Sequence, residues 1–131
     1  MAQTLQFDLV SPEKSLASFA ASEVVLPGSE GEMTAMPDHA PVITTLRPGM
    51  VVARGADGEE EFIVTQGIAE ITPQSVSVIA ERAYPRGDVT KADLEKVLAE
   101  ARAHAENAAI EEKHGAEKFV AEMVHFLEMM E

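Results

Sequence analysis

Gly28-Ser29-Glu30-Gly31-Glu32-Met33-Thr34-Ala35-Met36-Pro37-Asp38-His39-Ala40-Pro41-Val42-Ile43-Thr44-Thr45-Leu46-Arg47-Pro48-Gly49 decides the fold of the first two thirds of this chain. Three turns punctuate it: a glycine-bracketed Gly28–Gly31, a proline-bracketed Pro37–Pro41 and the Pro-Gly turn at Arg47-Pro48-Gly49. Between them Met33–Met36 and Val42–Leu46 are too short for helices and read as strands.

The same rhythm continues in both directions. Upstream, Leu5, Phe7 and Leu9 alternate with polar neighbours and stop at Ser11-Pro12, and Ala17–Ala20 and Glu23–Leu26 follow. Downstream lie Met50–Arg54, Glu60–Gln66, Ala69–Thr72 and Ser75–Glu81. Ala56-Asp57-Gly58 reads as a hairpin, with Asp-Gly supplying the positive φ angles of a type I′ turn. Gly67, between two β runs, marks a bulge or tight corner. These nine runs predict a β-sandwich or flattened barrel over residues 1–86.

After Pro85-Arg86-Gly87 the period changes from two to nearly four. Thr90 and Asp93 form a capping-box pattern, and Leu94, Val97, Leu98, Ala101, Ala105 and Ala108 recur at helical spacing. The helix is expected to fray in Glu111–Gly115, with Gly115 as its C-terminal cap. A second apolar stripe, Phe119, Val120, Met123, Val124, Phe126, Leu127 and Met130, predicts a second helix. Residues 87–131 thus read as an antiparallel helical hairpin, and the fold class is mainly β with an α appendage. Met123, Met129 and Met130 are expected to serve packing of this hairpin.

Composition narrows the function. A chain of 131 residues suits one β domain of about 85 residues with an appendage. The formal charge of −13 repels a phosphate backbone, which argues against nucleic acid. There is no cysteine, hence no disulfide and no thiolate chemistry. The N-terminal residues lack the basic flank and apolar run of a secretory signal, and no apolar run approaches the roughly 20 residues needed to span a bilayer. Direct membrane insertion is therefore not expected. No P-loop or Gly-x-Ser-x-Gly elbow is present. His39, His104, His114 and His125 lack metal-ligand spacing, so no metal and no cofactor is expected. Glu30 and Glu32, in an exposed turn, lack the burial that general-acid work requires.

The order and spacing of the opening stretch resemble the signature of F-type ATP synthase epsilon subunits: a Gly-x-x-Gly-x turn, a strand, Pro-x-His-Ala-Pro, a strand and Lys/Arg-Pro-Gly. Phe7-Asp8-Leu9-Val10-Ser11-Pro12-Glu13, Phe62-Ile63-Val64 and the corner at Gly67 fit as well. The resemblance implies a non-catalytic central-stalk subunit of the rotor, coupling rotation of the membrane ring of c subunits to the gamma subunit in a proton-translocating synthase. It implies no ATPase activity of the chain alone, and a peripheral location at the cytoplasmic face of the bacterial inner membrane. Ser29, Glu30, Gly31 and Glu32 match the segment that faces the rotor ring. His39, Ala40, Pro41 and Val42 match the surface against gamma. The alternatives are a stand-alone β-sandwich binding module with a regulatory helical tail, recovered without a gamma subunit, and a small hydrolase, which needs a convergent polar pocket.

The hairpin departs from the family pattern in two places. Relatives that bind ATP begin the first helix with Ile/Leu-Asp-x-x-Arg-Ala. Here Leu94-Glu95-Lys96-Val97-Leu98-Ala99 puts Glu95 for the Asp and Leu98 for the Arg, so the motif is degenerate and no nucleotide site is expected. Inhibitory relatives send a basic second helix into the catalytic alpha/beta head. In residues 116–131 four acids, Glu117, Glu122, Glu128 and Glu131, stand against Lys118, and like charge opposes that docking. Deleting residues 90–131 is therefore expected to leave ATP hydrolysis by the assembled synthase nearly unchanged, and a strong rise in hydrolysis would contradict this.

Overall fold

The computed structural model describes residues 3–130 and divides into two compact units, Met1–Arg86 and Gly87–Glu131. Ten strands make up the first unit: β1 (Leu5–Val10), β2 (Ser15–Ala21), β3 (Glu23–Gly28), β4 (Gly31–Ala35), β5 (Val42–Leu46), β6 (Gly49–Gly55), β7 (Gly58–Val64), β8 (Gly67–Ile71), β9 (Ser75–Ala80) and β10 (Ala83–Pro85). The nine predicted runs are nine of these. The tenth is only 3 residues long and ends on Pro85, too short for an alternation to show. A 3-10 turn, Arg86–Asp88, leads to α1 (Lys91–Asn107) and α2 (Ile110–Met129).

Backbone pairing runs β10-β7-β6-β3-β5-β8-β9-β1-β2, with β4 on the other edge of β3. All pairs are antiparallel except β1 with β9. Two five-stranded halves result, β10-β7-β6-β3-β4 and β5-β8-β9-β1-β2. They are joined in the ladder by the single pair Gly28↔Leu46. At the far side β2 comes against β6 and β10, which nearly closes the sheet. The alternating inward residues fill the space between. Phe7 sits at the centre, with ring centroids 5.4 Å from Phe19 on its own half and 6.1 Å from Phe62 on the other.

The register fixes which turns share an end. Gly28↔Leu46, Leu46↔Gly67, Gly67↔Ala80, Gly49↔Val64 and Val64↔Ala83 lie in one row. The turns at 29–30, 47–48, 65–66 and 81–82 therefore cluster at one end. The turn at 56–57 and the connections 36–41 and 72–74 lie at the other, where Val42↔Ile71, Ile71↔Val76 and Gly55↔Gly58 pair. A strand of five residues, about 17 Å, separates the two.

Two turns differ from expectation in their chemistry. At the 56–57 hairpin Asp57 does not take a positive φ; Gly58 does, at 115°, so the turn is not type I′. The turn at 37–38 carries the positive φ instead, with Asp38 at 69°. Asp tolerates that conformation because its short polar side chain bonds locally.

The break between the helices also differs. Thr90 and Asp93 form the predicted capping box, and Leu94, Val97, Ala101 and Ala105 are the buried stripe of α1. However, α1 ends at Asn107 and the chain turns at Ala108-Ala109, both extended. Asn107 Nδ2 donates to the Ala103 carbonyl one turn back at 2.9 Å, so its side chain folds onto the helix end. Glu111 and Glu112 then occupy the first turn of α2, where the unpaired N–H groups favour acids, so the stretch expected to fray starts a helix. Gly115 is an exposed interior residue of α2 and not a cap, a cost of about 1 kcal/mol that the longer helix absorbs. On α2, Met123 and Leu127 are buried while Met129 is 70 % exposed, so Met129 does not share the packing role expected of it.

Two tests follow from this geometry. A Cβ on Gly67 would lie 2.1 Å from the Ile79 carbonyl oxygen, so Gly67→Ala is expected to lower the urea midpoint by the equivalent of about 3 kcal/mol. Asp93 is held below the usual carboxylate range by the hydrogen bond from the Thr90 backbone and by the Thr90 side chain. Its folded pKa being the lower one, its stabilisation is complete above pH about 4 and is lost as pH falls through the folded value. The excess thermal stability of the natural chain over Asp93→Ala should disappear over that acidic range and persist at neutral pH.

Candidate functional sites at the two ends of the sandwich

The Ser29–Glu32 turn closes the β3–β4 hairpin at one end. Gly31, at φ 135°, makes the reversal that a side chain would strain. The base of the turn is anchored from three directions: Ser29 N donates to Thr45 O at 3.0 Å, Arg47 N to Pro27 O at 2.9 Å and Arg47 Nε to Gly28 O at 3.0 Å. Arg47 is thus occupied with backbone, which leaves Glu30 and Glu32 without an ion-pair partner among the described residues. Ser29, Glu30 and Glu32 are exposed and Gly31 is half-buried. The turn offers carboxylates and backbone on a firmly held base.

His39, Ala40, Pro41 and Val42 lie at the opposite end. Asp38 N donates to Pro73 O at 2.8 Å, tying this loop to the β8–β9 turn, and His39 N donates to Met36 O at 3.1 Å. The His39 ring donates from Nδ1 to the Ala40 carbonyl at 2.7 Å, which leaves Nε2 as the outward nitrogen. His39 is half-buried, Ala40 and Pro41 are exposed, and Val42 packs partly on the core. The structure therefore does not bring the two sequence-predicted groups together.

Between the two ends runs a feature the motif reading did not find. Ile43, Ile68 and Ile79 are 71 %, 49 % and 59 % exposed on the outer face of β5, β8 and β9. Thr45↔Ile68, Ile68↔Ile79 and Ile79↔Val10 make one nearly apolar row across four strands. In the next row Ile43 faces Glu70, then Ser77 and Asp8. That second row is mostly polar; Met36, just before the His39 loop, is a further exposed apolar side chain. Alternation carried the signal: Ala69 and Ile71 point inward, as do Val76, Val78 and Ala80, which forces Ile68 and Ile79 out. An open groove of about 290 Å³ beside this row is lined by Thr45, Leu46, Gln66, Gly67, Ile68 and Glu81. It holds no convergent catalytic set, and Glu81 is engaged by Gln66.

In the second unit Leu94 is fully buried, Glu95 exposed and Leu98 half-buried. Among the described residues no three His, Asp or Glu side chains are grouped to hold a metal, and no helix is long and apolar enough to cross a membrane.

Residues 4–86 match the family described as ATP synthase, Delta/Epsilon chain, beta-sandwich domain. Over 99 % of its length the chain is 47 % identical to the ATP synthase epsilon chain of Ruegeria sp. (strain TM1040), covering 96 % of that protein. It is 49 % identical to that of Paracoccus denitrificans (strain Pd 1222), covering all of this chain and 88 % of the relative. The chain belongs to the ATP synthase epsilon family. As an epsilon chain it is an accessory subunit of the synthase and not a catalytic one. Its fold is also that of a chain in the Euglena gracilis mitochondrial ATP synthase, with a TM-score of 0.68 at 21 % identity over 98 % of this chain and 79 % of that one. A chain of the Tetrahymena thermophila mitochondrial central stalk and c-ring structure superposes with the same TM-score at 18 % identity, over 96 % and 95 %.

Proposed function

We propose that this epsilon chain is a mechanical adaptor in the rotor of a proton-translocating ATP synthase, held between the gamma subunit and the ring of c subunits. What supports the reading most is the separation of its two partner-matching segments to opposite ends of one paired sheet. The Ser29–Glu32 turn faces the ring, where exposed carboxylates and backbone suit the polar loops of a membrane subunit. The His39–Val42 loop and the adjoining isoleucine face of β5, β8 and β9 take gamma; half-exposed aliphatic side chains adjoining one another across paired strands suit an association surface. Torque entering at one end leaves at the other through a sheet whose ladders and packed core resist shear. The chain is peripheral to the membrane, on the cytoplasmic side, through its hold on the ring. The acidic α2 meets the alpha/beta head weakly, and neither unit binds nucleotide.

The isoleucine face gives the sharpest test. Both Ile68 and Ile79 point away from the core and face each other across β8 and β9, so Ile68→Lys with Ile79→Glu, which sets opposite charges side by side, is expected to leave the sandwich folded by circular dichroism. Affinity for the purified gamma subunit should fall at least roughly tenfold. A folded double variant that still forms the one-to-one complex at natural affinity would remove this face from the interface.

A further inference from the structure

Resting on the reading of the Ser29–Glu32 turn as a partner contact, we propose that the outer edge of β4 is a strand-addition site. An extended segment of the partner at that turn bonds to Glu32 and Thr34 through the main chain, with a basic side chain near Glu32.

The direction of each backbone group on β4 follows from Pro27. Its nitrogen carries no hydrogen, and its carbonyl accepts from Arg47 N on the side away from β4. The pair Pro27↔Glu32 therefore exchanges no ladder bonds, and the N–H and C=O of Glu32 point outward. In an antiparallel pair this alternates, so Thr34, opposite Val25, is turned outward as well. Val25 agrees with this phase, since its other edge faces Val52 of β6. Met33 and Ala35 make the bonds to β3.

Among the described residues β4 pairs with no strand but β3, and no hydrogen bond engages the outward groups of Glu32 or Thr34. Two N–H and two C=O groups thus stand ready on exposed residues. Charge selects the occupant. Glu30 and Glu32 lie at this edge unpaired, and the chain carries a net charge of −13. A second copy would bring Glu32 against like charge, whereas a basic strand is attracted. Side chain and main chain of Glu32 then act on the same partner.

Amide exchange in the isolated chain and in its assembled synthase tests this without a substitution. The Glu32 and Thr34 amides should exchange fast in the free chain and become protected on assembly, while Met33 and Ala35 are protected in both. Thr34→Pro deletes only an outward N–H at an edge where proline is accepted. It is expected to weaken association with the other synthase subunits roughly tenfold, whereas Thr34→Val, which keeps the N–H, changes it little. Unchanged Glu32 and Thr34 exchange on assembly overturns the proposal, whether or not Thr34→Pro folds. Protection that grows with concentration of the isolated chain assigns the edge to a second copy and overturns it too. If Glu30→Gln with Glu32→Gln weakens assembly while those amides stay open, the turn remains a contact and only the strand addition falls. If neither responds, the reading of the turn falls with it.

Discussion

The sandwich depends on one change of partner within β3. Its first half pairs with β6, and its last residue, Gly28, pairs with Leu46 of β5. Pro27 makes this possible, because a residue without an N–H gives up a ladder bond at little cost where the strand leaves one half for the other. Arg47 seals the junction through its own N–H to Pro27 and its side chain to Gly28. Close approach at this end requires residues without a Cβ: on Gly49 it would sit 2.8 Å from the Pro27 ring, and on Gly67 it would enter the β9 backbone. With the junction closed, Phe7 and its neighbours are enclosed from both sides.

The proposed adaptor role rests on that closure. A ladder running through both halves makes the four clustered turns at one end and the His39 loop at the other parts of a single body. The Ser29–Glu32 turn and the Arg47-Pro48 turn are bonded to each other at the junction, so the acidic turn cannot move without β5. At the far end Asp38 is bonded to Pro73, and the loop follows β8 and β9. An adaptor needs such coupling between ends more than it needs a reaction centre. The exposed isoleucines on the intervening face add an apolar surface that an isolated soluble subunit has no use for.

Much of this was legible in the chain because local chemistry and final structure agree. Alternation at Leu5, Phe7 and Leu9 gave a strand, and Thr90 with Asp93 gave the helix start that the structure contains. The failures lie where longer-range terms decide. Gly115 has the local chemistry of a cap, but packing of α1 on α2 and the acids at 111 and 112 moved the turn to two alanines that carry no turn signal. Asp57-Gly58 suggested two positive φ angles, yet the hairpin uses only the glycine, and the positive φ of an aspartate occurs at Asp38. The outward isoleucines were hidden among inward ones in runs such as Ser75–Ala80, where only the register separates the two faces. The segments at 29–32 and 39–42 could be found as motifs; their placement at opposite ends needed the strand pairing.

The absence of native cysteine allows the central claim to be tested directly. Glu30→Cys and Ala40→Cys each place a single thiol at one end of the sandwich, and a short cross-linker applied to the assembled synthase reports its neighbour. The account predicts that position 30 couples to a c subunit and position 40 to gamma. Coupling of both positions to the same subunit, or of neither to a rotor subunit, would contradict it.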